Sequence, residues 1–147
     1  MTRSLCLIAA AALTAAPAVA GDLLYPGGTM LTEDLVGKPY WAVQARCAGL
    51  YGAANNYLAA RGDAAGAEAA KAEGMAFMRD AVARLMMDRK IERAAAVEAL
   101  APAVQAGRSE GARTLDAGGD GASSPFNYAR SLCLDVRDVY HGAPAPG

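Results

Sequence analysis

Gly107-Arg108-Ser109-Glu110-Gly111 has the G-x-S-x-G spacing of a nucleophile elbow, the strained turn that holds a serine out toward a substrate carbonyl. Acids at Asp116, Asp120, Asp135 and Asp138, then His141, follow in the chain order of a Ser-acid-His triad. That chemistry works only on a sharp strand-to-helix turn above a parallel sheet. Here the five residues continue the helix-favouring run Ala101 to Ala106, and two small residues four apart allow a close helix crossing. The match is read as coincidental. No catalytic residue is assigned, and the chain is expected not to be an enzyme.

Metal chemistry has as little to work with. His141 is the single histidine, and structural zinc asks for four Cys or His ligands. Covalent haem attachment through C-x-x-C-H is absent. A non-covalent haem held between Met30 and His141 loosely echoes four-helix cytochromes, though Met30 lies nine residues before the first long helix. Met75, Met78, Met86 and Met87 offer thioethers, which are ligands for Cu(I), but methionine is also an ordinary filler of irregular cores. No metal site and no cofactor are assigned; a small haem or copper carrier is the alternative reading. Arg84, Arg89, Lys90 and Arg93 could receive an anionic headgroup or sugar acid, but Asp80, Asp88 and Glu92 interleave with them and favour a solvated, self-paired surface.

Two residue sets carry more weight. Cys47 and Cys133 are the cysteines that remain beyond residue 20, one eight residues past Pro39 and the other eight before His141. On adjoining antiparallel helices those positions come level, which predicts a disulfide clamping the first helix to the last. The rings are also uneven: Tyr40, Trp41, Tyr51, Tyr57, Phe126, Tyr128 and Tyr140 fall on the first and fourth helical segments, and Phe77 alone on the second. Trp41, Tyr51 and Tyr128 are the candidate binding residues, since such rings join apolar area to a polar tip and serve as anchors. They are expected to be partly exposed, along a groove beside residues 21–37. The alternative is a core whose bulk sits on one helix pair.

The segments that place these residues begin with an address. Met1-Thr2-Arg3, the uncharged run Leu5 to Ala16, and Ala18-Val19-Ala20 before Gly21 form a cleavable secretory signal over residues 1–20. The run is too short to cross a bilayer, which takes roughly 20 residues. Periplasm is the expected location, with release into the medium as the other route. There disulfides persist. The net charge of −1 gives no footprint for nucleic acid.

Residues 21–147 hold 29 alanines against 11 Val, Ile and Thr, so helix is favoured over strand throughout. Residues 21–37 form a lead-in with a turn at Pro26-Gly27-Gly28, residues 38–142 a helical domain, and residues 143–147 a loose tail. The first helix runs from Pro39 to Gly62, with Tyr40, Val43, Cys47, Leu50, Ala54 and Tyr57 on one seam. Asp63 caps a second helix to Asp88, facing inward through Ala67, Ala70, Gly74, Phe77 or Met78, Ala81 and Leu85. A third spans Ile91 to Leu115 with Val97, Leu100, Val104, Arg108, Gly111 and Leu115 inward, kinked at Pro102. After a loop from Asp116 to Ser124, Ser124 caps and Pro125 opens a fourth, carrying Ala129, Cys133, Val136 and Tyr140 and ending at Gly142.

The expected fold is an all-α, up-down-up-down antiparallel four-helix bundle with one disulfide between its first and last helices. The expected role is a non-enzymatic binding or envelope-interaction protein, taking an envelope protein or a small ligand. Thiol labelling of the chain from Gly21, native or denatured without reductant, should find no free thiol. Two reactive thiols would break both the clamp and the helix arrangement it implies.

Overall fold

The computed structural model describes residues 38–142, with side chains through Asp138. The signal, the lead-in with Met30, the tail and the side chains of Tyr140 and His141 lie outside the described residues. Four helices account for the fold, and no strand occurs among the described residues: α1 Tyr40–Ala60, α2 Ala64–Arg89, α3 Arg93–Gly118 and α4 Pro125–Gly142.

Each boundary has a local cause. Pro39 is extended (φ −63°, ψ 144°) and its carbonyl accepts from Ala42 N at 2.9 Å, starting α1 without a side-chain cap. At the far end Gly62 takes φ 81°; Gly62 N donates to Ala59 O and Asp63 N to Leu58 O, the paired bonds of a Schellman stop. Asp63 then starts α2, its carboxylate accepting from Gly66 N at 2.9 Å. One residue thus ends one helix and caps the next. Ser124 Oγ accepts from Asn127 N at 3.2 Å, and Pro125 opens α4 as its fixed φ favours.

The third helix departs from its expected limits at both ends. It starts at Arg93 rather than Ile91, because Lys90 turns left-handed (φ 53°) and Glu92 is extended, which lets Ile91 pack inward. It runs through Asp116 and Ala117 to Gly118, since nothing there breaks a helix until Gly119 adopts φ 64°. The expected inward stripe holds at Leu100, Gly111 and Leu115 and differs at two positions, where Ala96 and Gly107 replace Val97 and Arg108. Ala96, Leu100, Gly107, Gly111 and Leu115 are buried, whereas Val97 and Arg108 are exposed. Pro102 is exposed and the helix is continuous through it.

Those two exchanges bring the smallest residues of α3 against α1. A Cβ on Gly107 would overlap the carbonyl oxygen of Arg46, and one on Gly49 would overlap that of Val104. A Cβ on Gly111 would stand 2.8 Å from Ala53 Cβ and 3.1 Å from Leu50 O. The close crossing expected of the glycine pair is therefore present, with Ser109 exposed in mid-helix. Contacts of α1 with α3 advance together along both helices, so the two lie side by side in the same direction.

On another face of α1 Gly74 of α2 approaches Ala48 O and Tyr51 Cβ, both at 3.2 Å. Asn55 Nδ2 also donates to Ala67 O at 2.8 Å. Here the numbering runs oppositely. α1 is the hub, packed along α2 and α3, and those two converge near their connecting turn through Ala81, Val82, Leu85, Ala96 and Leu100.

α4 closes a remaining face of α1. Cys47 and Cys133 form the expected disulfide, with Cα atoms 5.6 Å apart and 86 residues between them in sequence. Tyr40 Oη donates to Val136 O, and Gln44 Nε2 donates to Tyr40 Oη at 2.8 Å. Tyr40, Val43, Phe77, Leu115, Phe126 and Val136 form the core that this face shares.

Gly107→Ala should destabilise the fold by ~3 kcal/mol, the scale of overpacking against atoms that cannot yield. Gly52→Ala is the control: its Cβ would meet only the mobile end of Arg108, at 3.4 Å, and should gain roughly 0.5–1 kcal/mol from helix propensity. Denaturant melts of both variants, with Ser109→Ala expected within about 0.5 kcal/mol of the parent, measure the difference.

Candidate ligand slot beneath the fourth helix

The ties that hold α4 leave a recess on each of its flanks. Toward α3 lies a slot of about 240 Å³. Val43 and Leu50 of α1, Leu132 and Val136 of α4, and the disulfide itself make its walls. Thr114 lines it too, and its Oγ1 donates back to Glu110 O and Gly111 O, both at 3.0 Å. Arg46 and Glu110 line it as well, and they pair across it, with Nε to Oε2 at 2.7 Å and Nη2 to Oε2 at 2.6 Å. The two charged groups and the threonine hydroxyl that face this slot therefore have partners already, and Tyr128 adds a phenol at its exposed edge. What it offers an occupant is apolar contact.

Toward α2 the recess is wider, about 970 Å³, and polar at its edges. Arg137 pairs with Glu73 across it and lies 5.6 Å over the Phe77 ring. Arg130 and Asp120 also line it, so charges of both signs meet there. Tyr51 forms part of its floor, stacked on Phe77 at 5.5 Å between ring centroids. Burial pushes the Tyr51 hydroxyl above its ordinary range; Arg130 opposes that shift, Glu73 adds to it and Arg137 opposes it.

The three candidate binding rings are not brought to one place. Tyr128 is 58% exposed at the mouth of the apolar slot. Tyr51 is only 4% exposed, on the opposite flank of α4. Trp41 is half-buried against the cluster near the α2–α3 turn, where its indole Nε1 is shut away with no hydrogen-bond partner among the described residues. Gln44 is fully buried, and its Oε1 likewise has none.

The other chemical candidates separate too. Met78 and Met86 pack against the cluster near the turn, while Met75 and Met87 are more than half exposed. Arg84 Nε pairs with Asp88 at 2.9 Å, as expected of a self-paired surface. Among the described residues no group of three or more His, Cys, Asp or Glu is placed to hold a metal ion. The Ser109–His141 and Met30–His141 pairings lie outside the described residues. Among the described residues no helix is long and apolar enough to cross a membrane.

Sequence reasoning missed the slot. Its two charged residues are 64 positions apart and become neighbours only through the α1–α3 crossing. Leu132 stands beside Cys133 rather than on the seam assigned to α4, so helical spacing does not mark it as part of a slot. No protein-family model matches the chain, and neither a curated protein nor a solved structure does.

The Tyr51 shift has a pH consequence. Its hydroxyl is protonated in both states below pH 10; above that the unfolded chain ionises first, so stability falls as pH rises. Denaturant melts between pH 8 and 11 should show that loss, and Tyr51→Phe should make the slope shallower. An unchanged slope would place the hydroxyl in a solvated setting.

Proposed function

We propose that this chain is a small exported, non-enzymatic binding protein whose ligand is a compact, uncharged apolar molecule seated between α1, α3 and α4. The supporting observation is the slot itself: about 240 Å³, walled by aliphatic side chains and the disulfide, with its two charges and the Thr114 hydroxyl already paired. A charged ligand would have to break the Arg46–Glu110 pair to find a partner, whereas an apolar one gains by leaving water, at roughly 25 cal/mol per Å² of buried area. Tyr128 at the mouth supplies a ring to cover it. Residues 1–20 carry the argument for export, and periplasm is the compartment that best fits a signal of that composition.

The test is fluorescence titration with N-phenyl-1-naphthylamine, an uncharged apolar probe. Ala129, half-buried in the slot wall, becomes the block: Ala129→Trp should remove binding, and Tyr128→Ala should weaken it several-fold. Ser131→Trp, in the wider recess, should leave it unchanged. Equal binding by Ala129→Trp and the parent would overturn the assignment.

A carrier of haem or copper is the second reading, supported by the exposed thioethers of Met75 and Met87. An absorption spectrum and metal analysis of protein purified from the envelope would reveal it.

A further inference from the structure

A third recess lies away from α4, on the face of α1 flanked by α2 and α3. Its volume is about 350 Å³, within the range of small-ligand sites. The floor is almost bare backbone: Gly52 of α1 and Gly74 of α2 put no side chain into it, so the flanking helices stand as walls. The recess has two unlike ends. At one, Arg108 of α3 and Lys71 of α2 bring positive charge, and no acidic residue lines the recess. The Arg108 guanidinium lies over Gly52, where a Cβ would be 3.4 Å from Nη2. Lys71 contacts Glu68 along its own helix at 3.2 Å, an exposed pair of the kind that holds weakly.

At the other end the walls are Met78 and Val104, which continue into the cluster near the α2–α3 turn. Met75 lies between, with 54% of its surface exposed although it sits in a concavity. The register fixes this polarity. Gly49 of α1 sits against both Val104 and Arg108, so the cationic and apolar ends are one helical turn apart on α3.

We infer that this recess is a second binding site, for a free single-chain amphiphile with a carboxylate head. The head pairs with Arg108, whose planar fork suits a carboxylate, and Lys71 adds charge beside it. The alkyl chain runs over the glycine floor and covers Met75, Met78 and Val104. Methionine suits that role because its unbranched, polarizable side chain adapts to an irregular partner. The chemistry differs from that of the slot beneath α4, where the cation is already paired and the expected ligand is uncharged. The two sites are therefore independent.

Isothermal titration with dodecanoate, below the concentration at which it forms micelles, tests the inference on the oxidised chain from Gly21. Binding should be at least tenfold tighter than for dodecanol, and acetate should not bind. Arg108→Glu should weaken dodecanoate at least tenfold, and raised salt should weaken the parent. Gly52→Leu should abolish binding by filling the floor. A Cβ there meets only the Arg108 side chain, and a melting temperature at or above the parent's shows that this variant is folded.

Ala129→Trp, which blocks the slot beneath α4, should leave dodecanoate affinity unchanged; loss in that variant would move the ligand to the slot and overturn this site. Unaltered affinity in Arg108→Glu or Gly52→Leu would overturn it as well. So would failure of the parent to bind dodecanoate while it sediments with phosphatidylglycerol vesicles, which would make the face a membrane contact.

Discussion

The backbone of α1 touches the backbone of α3, and the rest of the molecule is arranged around that approach. Carbonyl oxygens of Arg46 and Val104 stand where the Cβ atoms of Gly107 and Gly49 would otherwise be. Burying glycine removes little apolar area from water, so this contact contributes less by the hydrophobic effect than a leucine seam would. Its gain lies in proximity. With α3 drawn in, larger residues on the adjoining faces meet: Leu100 with Ala45 and Leu85 near the turn, and Leu115 with the core that contains Leu50 and Phe126. The same approach brings Glu110 to Arg46, closing one side of the apolar slot.

α4 is attached differently. Its ties are a covalent bond, the Tyr40 hydroxyl on the Val136 carbonyl, the Arg137–Glu73 pair and a short apolar face. Point attachments leave room beside a helix where continuous interdigitation would not. This is why both flanks of α4 are recessed, and why the recesses differ. The α3 flank inherits paired charges and aliphatic walls, and the α2 flank inherits Arg130, Asp120 and a buried tyrosine. A loop of 86 residues closed by the disulfide stabilises the chain by up to about 4.6 kcal/mol on the chain-entropy account. That contribution is useful to a helix with so few contacts of its own.

The parts of this fold visible in the sequence are those set by local chemistry or by one strong spacing. Gly62, Asp63, Ser124 and Pro125 mark turns that the chain obeys, because each acts on backbone within a few residues. The cysteine positions likewise foretold which helices are joined. The α3 stripe is legible at Leu100, Gly111 and Leu115 but not at Ala96, because amphipathic periodicity weights Val97 above Ala96, while an interface that demands small residues weights them the other way. The rings divide for a related reason. Their concentration on α1 and α4 is real, but α1 turns Tyr51 and Trp41 to different neighbours, and only Tyr128 stays in the open. Both recesses that carry binding proposals join residues of α1 and α3, whose adjacency no local pattern encodes.

A helical protein ordinarily forms its contacts between segments close in the chain, and it folds quickly for that reason. The α1–α2 pairing here is of that kind, with a turn of three residues. The hub's other long contact is not: Arg46 meets Glu110 across 64 residues, with the whole of α2 between. Closing that loop costs chain entropy before any reward arrives, and the reward at first contact is small, since glycine meets carbonyl. The glycine crossing thus sets an all-helical chain one non-local task, in which α3 must find α1 across the whole of α2 before the larger residues beside the glycines can meet.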